Sequence, residues 1–578
     1  MCGVLIIYSK KKKKLNKKRC FSASKKLFNR GPDLYKSNFF KDSSLFISNT
    51  VLSITSFKNK NKNLCRSLSN RFIISFNGEI YNFKELNNEY MLVGKKNYSD
   101  TDVLVNLYDK INHNLIPKKL NGMYAYVIFD TKKDKLKIIN DPQGEKNLYY
   151  YDDDNFLIIS STISAILNFN QNYSINEEPI FNYFSTRHFM PFNQTCFKKI
   201  KLFPNSSTTE FCLNKNHLKI KINEDPISWI SEKKYNEFKS MNENEVINYF
   251  ENELKKQIKL MIPSQKFGSI VSGGIDSTLQ SILLEGFKSP KINLTINHGK
   301  KDPIMKKIHF FKKFFKNKIY KIPLNKKLYK NLSSECYKIV SSPMQTHDLP
   351  GRLLLSDFFK KNNCKVFFSA DGCDELLGGQ QIYLKTFKKN YNFYQNKSPY
   401  TSLIDFGYYK KDKLKNLDNF LKKKWKKVFN KYSFIKSIRE RNIQSSLYMD
   451  YFIYATNVGN RSNDLICCEN SVEPRNAYIQ RNILKIILNL PLKYKINEKV
   501  KNRKFKQKYI LKKIFSKNFN ERLIFPKSGF SGHPNSNKDA DFGNSIILNT
   551  LINQVAKKNS KEVEWKIINS ENFLKEYF

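Results

Sequence analysis

Phe267-Gly268-Ser269-Ile270-Val271-Ser272-Gly273-Gly274-Ile275-Asp276-Ser277 is the stretch that decides how this chain folds. The first five residues predict a short buried strand. Ser272 to Ser277 predicts a sharp turn, and Thr278 to Leu284 a helix. Glycines let the backbone approach a phosphate, and the helix start offers unpaired N–H groups. Asp276 inside such a loop would repel phosphate unless a cation intervenes. It is therefore a candidate Mg²⁺ ligand.

Working outward, Lys365-Val366-Phe367-Phe368 predicts a second strand, and Ser369-Ala370-Asp371-Gly372-Cys373-Asp374-Glu375 follows it. In an open parallel sheet, ligands bind at the carboxyl ends of strands. Three carboxylates at that edge suit a metal-bound phosphate and a nucleophile, and acids are scarce in this chain. Helical stretches such as Glu245 to Met261 alternate with short strands from about residue 244, which predicts a helix-covered parallel sheet.

The amino terminus carries different chemistry. Removal of Met1 gives Cys2 both a thiol and a free α-amino group. That amine, with a pKa near ~7.7–8.0, can accept a proton from a thiol of about 8.5. Downstream, Asn77-Gly78-Glu79-Ile80-Tyr81-Asn82 ends a β run, and such a turn can present an amide and an N–H to a developing oxyanion. Runs such as Val4 to Tyr8, Phe72 to Phe76, Tyr124 to Phe129 and Phe156 to Ile159, separated by polar residues, predict a mainly antiparallel β domain with a few helices. The expected division is 2–205, a polar connection at 206–243, and a second domain at 244–578.

Composition narrows the partners. The net charge of +51 comes from 102 basic against 51 acidic residues. The excess is mostly Lys, spread over the whole length, whereas phosphate recognition favours the bidentate fork of Arg. This argues against a nucleic-acid partner and for a solvated surface, the run Lys10 to Lys14 included. Ten cysteines lie without a Cys-x-x-Cys pair, which disfavours zinc and disulfides and fits a reducing cytoplasm. No run reaches the ~20 apolar residues of a membrane span.

These motifs together resemble the asparagine synthetase family: a class II, N-terminal-nucleophile glutamine amidotransferase domain followed by an ATP-pyrophosphatase-type domain. The resemblance rests on Cys2, Arg30-Gly31-Pro32-Asp33, Asn77 to Asn82, Ser99 to Val103, Asn121 to Tyr126, the 272–277 loop and the 369–375 cluster. It implies Cys2 as the nucleophile and Asn77 with Gly78 as the oxyanion hole. Leu52, Ser53, Ile54, Glu79 and Asp100 would line the glutamine, with Asp100 on its ammonium. ATP would lie against Ile270, Ser272, Gly273, Gly274, Asp276, Ser277, Ile296, Ser369 and Ala370. Asp276 and Asp374 would hold Mg²⁺, Asp371 would orient the adenylate and ammonia, and Lys508, in Lys508-Tyr509-Ile510-Leu511-Lys512, would stabilise negative charge there. Ser471 to Arg475 and Lys527-Ser528-Gly529-Phe530 are thinner matches.

One departure matters: the family carries Arg before Leu-Ser-Ile, and Val51 stands here. Arg30 and Arg66 are the candidates to compensate, and free ammonia stays open as donor. The expectation is a glutamine-dependent asparagine synthetase acting on small molecules (glutamine, aspartate and ATP), with a homodimer left open. Three other readings remain: a related amidotransferase for a sugar acid or peptide carboxylate, a tRNA-modifying enzyme with the same pyrophosphate loop, and a non-catalytic relative acting as an interaction scaffold, to which Val51 gives weight and Cys2, Asp276 and Asp374 do not.

Overall fold

The computed structural model describes residues 2–55, 63–94, 97–185, 189, 192–299, 302–380, 383, 411–525 and 561–578. Twelve strands build the amino-terminal half: β1 (Gly3–Ser9), β2 (Leu34–Phe40), β3 (Leu45–Val51), β4 (Cys65–Arg66), β5 (Phe72–Ile80), β6 (Gly122–Asp130), β7 (Lys135–Asn140), β8 (Tyr149–Asp152), β9 (Phe156–Ser160), β10 (Ile200–Leu202), β11 (Ser207–Cys212) and β12 (His217–Ile222). They form two antiparallel sheets, ordered β10-β8-β9-β1-β3-β2 and β12-β11-β7-β6-β5-β4.

The continuous apolar run of β1 is explained by burial on both faces. Val4, Ile6 and Tyr8 share a core with Val127 and Phe129 of β6 in the other sheet. Leu5 and Ile7 pack instead with Cys20 and Ala23 of the helix Lys17–Lys25. The second sheet repeats the scheme. Phe72, Ile74 and Phe76 of β5 share a core with Leu86 of the helix Phe83–Tyr90 and Val103 of the helix Asp100–Lys110. Helices therefore cover the outer faces of a two-sheet sandwich.

The second half contains a five-stranded parallel sheet of β13 (Gly268–Ile270), β14 (Ile292–Asn297), β15 (Ile319–Pro323), β16 (Val366–Phe368) and β17 (Glu473–Arg475). Its order is β15-β14-β13-β16-β17. The chain steps one way from β13 to β15 and then returns to the other side of β13 for β16. The strand direction of travel reverses between β13 and β16, and a crevice opens there at their carboxyl ends. Helices follow from Lys411–Lys431 to Tyr509–Asn518.

Residues 206–243 differ from the expected connection. β11 and β12 form a hairpin that extends the second sheet through β7. Their alternation is visible in Thr209 and Phe211, which are buried, but abundant polar side chains on the solvent face mask it. Helices Glu232–Ser240 and Glu243–Met261 complete the passage to β13. The Lys527 to Phe530 match lies outside the described residues.

The two halves are joined by a buried ion cluster. Asp464, on the helix Asn460–Glu469, takes Arg30 Nη2 at 2.7 Å and Lys146 Nζ at 2.9 Å. All three side chains are at most 3% exposed. Burial alone would raise the Asp464 pKa, but Arg30 and Lys146 outweigh it and hold the carboxyl below its ordinary value. Removing one partner of such a cluster strands unpaired charge, at about 3–5 kcal/mol. Asp464→Ala is expected to lose stability on that scale in denaturant unfolding. Since the folded pKa is depressed, the Asp464 contribution is complete above pH ~4 and is lost as pH falls through the folded value. The Asp464→Ala and wild-type stabilities should therefore converge in acid.

Candidate functional site

Cys2 immediately precedes β1, and the pairing of the two sheets brings it to β5. Its backbone nitrogen, the α-amino nitrogen once Met1 is trimmed, donates to Asn77 Oδ1 at 3.0 Å. Asn77 is fully buried, and its Nδ2 has no hydrogen-bond partner among the described residues. A preorganised, unspent donor beside a thiol is what an oxyanion requires. Gly78 has φ +150°, and a Cβ there would sit 2.1 Å from the Met123 carbonyl. Only glycine lets β5 approach β6 this closely. Asn49 stitches the sheets together beside the site, donating to the carbonyls of Gly3 and Phe76 at 2.9 and 3.1 Å.

A cavity of about 550 Å³ opens beside Cys2 and is lined by Leu52, Ser53, Ile54, Gly78, Glu79 and Asp100. Six of the residues expected around glutamine thus line one cavity with Cys2, and Asn77 meets Cys2 through its backbone nitrogen. Asp100 accepts from the N–H groups of Ile80 at 3.0 Å and Thr101 at 2.8 Å. Burial nevertheless pushes its pKa up to about 6. Burial also raises the Cys2 thiol.

Val51 lines this cavity, as do Lys36 and Arg66. Arg30 does not. Its Nε donates to the Cys2 carbonyl at 3.3 Å and its Nη2 to Asp464. Arg30 braces the backbone of Cys2 and is not a wall of the cavity. Lys36 had no signal in the sequence; only the β2–β3 register, Leu34 opposite Val51 and Lys36 opposite Asn49, places it here.

A second cavity of about 380 Å³ lies at the crevice between β13 and β16. Ile270, Ser272, Gly274, Asp276 and Ser277 line it from one loop. Ser369, Ala370, Asp371 and Asp374 line it from the other, with Lys508 opposite. Ser277 Oγ accepts from Ser272 N at 3.1 Å and fixes the turn. Gly273 has φ +69° and backs onto Lys307, off the cavity wall. Ile296 also lies apart, in the apolar core with Leu294, Phe359 and Phe367.

Lys508 pairs with Asp276 and, at 2.5 Å, with Asp374 Oδ1. Burial would lower its pKa, but the two carboxylates hold it above the ordinary lysine value. A Cβ on Gly379 would fall 1.9 Å from Asp374 Oδ1, so the chain needs glycine to wrap this pair. Carboxylates from two loops converging on one cation are hard oxygen donors that fit Mg²⁺. Among the described residues no cluster of three His, Cys, Asp or Glu forms a metal cage. The ion would therefore complete its shell with phosphate and water.

Asp371 is clamped. Arg352 reaches its two oxygens at 2.8 and 3.1 Å, and Asn463 donates at 3.1 Å. Neither residue was anticipated, because only the packing of separate helices brings them to Asp371, Arg352 from 19 residues before it and Asn463 from 92 after it. β17 connects the two cavities. The Arg475 guanidinium stands 3.4 Å from Glu79, and its carbonyl accepts from Ser369 N at 2.9 Å.

A buried thiol beside an unspent amide donor, joined to a carboxylate-lined crevice at a parallel sheet, is the arrangement of an amidotransferase-type domain linked to an α/β domain. A family described as a glutamine amidotransferase domain matches residues 1–221, and asparagine synthase matches 250–562. The chain belongs to the asparagine synthase family. It is 26% identical to putative asparagine synthetase [glutamine-hydrolyzing] 2 of Methanocaldococcus jannaschii, over 55% of this chain and 61% of that protein. Putative asparagine synthetase [glutamine-hydrolyzing] 1 of the same organism is 23% identical, over 73% and 65%. The mouse asparagine synthetase [glutamine-hydrolyzing] is 24% identical, over 54% and 55%. The match thus spans less than two thirds of each relative's length. Among the described residues no helix is long and apolar enough to cross a membrane.

Replacing Lys508 by Met would leave Asp276 and Asp374 facing each other across the crevice. Loss of such a charge-stabilising donor costs about 10²–10³ in rate. For an asparagine synthase-type ligase, Lys508→Met would slow AMP release on that scale and leave glutamine hydrolysis in place, read by coupled assays of AMP and glutamate.

Proposed function

We propose that the chain is a glutamine-dependent asparagine synthetase, which couples glutamine hydrolysis to amide formation on the aspartate side chain. The observation that supports this most is the shared strand β17, which touches the wall of the thiol cavity through Glu79 and the phosphate crevice through Ser369.

In this reading the Cys2 α-amine takes the thiol proton and the thiolate attacks the glutamine amide carbon. Asn77 Nδ2 and the Gly78 N–H receive the oxyanion. The protonated amine returns its proton as ammonia leaves, and water hydrolyses the thioester to glutamate. In the crevice the aspartate carboxylate attacks the α-phosphorus of ATP and pyrophosphate departs. Mg²⁺, held by Asp276 and Asp374, would offset the pyrophosphate charge. Lys508 stabilises negative charge at the reacting phosphorus and Asp371 orients the incoming ammonia, which displaces AMP. A carboxylate does not react with ammonia unaided, so adenylation provides the leaving group. The functional division would fall after β12, near residue 223. Leu52, Ser53, Ile54 and Glu79 would shape the glutamine pocket, and Ile270, Ser272, Gly274, Ser277, Ser369 and Ala370 the nucleotide pocket.

The acceptor is tested by mass spectrometry with ATP, Mg²⁺, aspartate and amide-¹⁵N glutamine. Labelled asparagine with equimolar AMP is expected, lost in Cys2→Ala and restored by ammonium. AMP formation only with another acid would keep the mechanism and replace the substrate. No AMP with any carboxylate would remove the ligase reading. The ammonium role of Asp100 predicts a pH effect. Its carboxyl is charged above about 6, so KM for glutamine should climb as pH drops below that value. Asp100→Asn should flatten the profile and raise KM about ten- to a hundredfold at neutral pH.

A further inference from the structure

A free amino acid with a side-chain amide carries two charges, an ammonium and an α-carboxylate. In the reading above Asp100 answers the first. Among the described residues that line the thiol cavity, only Lys36 and Arg66 are cations, and Val51 is neutral. One of the two has to meet the carboxylate if the amide is to lie against Cys2.

The register of β2 separates them. Lys36 stands opposite Asn49, and Leu34 opposite Val51. Cross-strand partners share a face of the sheet. Asn49 donates to the Phe76 carbonyl of the other sheet, and Phe40, four residues on from Lys36, packs in the core between the sheets. Side chains alternate along a strand, so Lys36 also lies on the inner face, diagonal to Val51. Gly3 pairs with Thr50, so Cys2, Val51 and Leu34 form one row across the three strands. β2 is two strand spacings, about 10 Å, from β1. The carbon chain of a bound glutamine and the stem of Lys36 close that gap from opposite ends.

Arg66 stands farther off. It is exposed, and its guanidinium lies 5.8 Å from the centroid of the Phe40 ring. Phe40 is about 13 Å along β2 from Lys36, away from Val51. Lys36 is half-buried, and among the described residues no carboxylate pairs with it. The nearby acid is engaged: Asp102 accepts from Ser99 N at 2.9 Å, Ser99 Oγ at 2.8 Å and Cys65 Sγ at 3.3 Å. The Lys36 charge is still felt across the cavity. Burial raises the Cys65 thiol and Asp102 adds to the shift, while Lys36 opposes it.

We propose that Lys36 takes the α-carboxylate of glutamine and so selects the free amino acid over amidated or peptide-bound glutamine. The assignment rests on the glutamine reading above. Lysine meets a carboxylate as a point charge, where arginine would offer a planar fork, so the selection is by charge more than by shape. The carboxylate is remote from the bond that breaks. The contact therefore acts alike on ground and transition states and shows in KM.

The test follows side-chain amide hydrolysis by the full chain, with glutamine and glutamine α-amide as substrates and glutamate and isoglutamine read by mass spectrometry. Lys36→Met is expected to raise KM for glutamine about ten- to a hundredfold, the range of one charge-assisted hydrogen bond, with kcat held. The wild-type preference for glutamine over its α-amide should fall by the same factor, and Lys36→Arg should restore most of it. If Lys36→Met lowers kcat for both substrates alike and keeps the preference, its role is structural and the proposal is overturned. An unchanged KM and preference overturns it too. So does a preference lost in Arg66→Met and kept in Lys36→Met, or equal use of the two substrates by the wild type. In all four cases glutamine is still hydrolysed and the glutamine reading stands. A wild-type chain that hydrolyses neither substrate refutes that reading, and this proposal with it.

Discussion

Asp464 is the point on which the assembly turns. It sits in the second half of the chain and neutralises Arg30 and Lys146 of the first. Arg30 in turn holds the Cys2 carbonyl at 3.3 Å. One carboxylate thus closes the interface and fixes the arginine that holds Cys2. Buried ion clusters add little net stability over apolar packing, but they tolerate few wrong arrangements. An interface made only of apolar contacts would accept small slips, and a slip here would move Cys2 away from Asn77.

The same interface is directional on a finer scale. Arg475 bonds Glu473 at 2.9 Å, meets Glu79 at 3.4 Å and lies over the Tyr81 ring at 5.3 Å. Burial pushes Glu79 above the ordinary carboxylate range, with Asp100 adding to the shift and Arg475 opposing it. Glu473, also buried, is held below that range by Arg475. Two carboxylates on one guanidinium are therefore shifted in opposite directions. The one that faces the thiol cavity is the one that holds a proton more readily.

Much of this was legible in the sequence. Apolar runs located β1, β5, β6, β9, β13 and β16, and the glycine loop and acidic cluster located the crevice. What escaped had physical causes. β17 is three residues long and contains Pro474, so no periodicity marks it. The β11–β12 hairpin was hidden by lysines on its wet face. Arg352, Asn463 and Lys36 reach their cavities only through long-range packing, and a lysine in so basic a chain carries no signal of its own. Arg30 was noticed for its charge, but its direction is set by Asp464, 434 residues away.

That separation also bears on how the molecule comes to be made. Synthesis proceeds from the amino end, and the sandwich strands are complete by Ile222. Arg30 and Lys146 must then remain hydrated, because the residue that neutralises them is not yet available. Closing so long a loop carries an entropic cost that grows only slowly with its length, but the search is slow. The sandwich therefore emerges with two cations facing water, which discourages premature association of its unfinished face. The seat of Cys2 is completed only when the helix that carries Asp464 arrives.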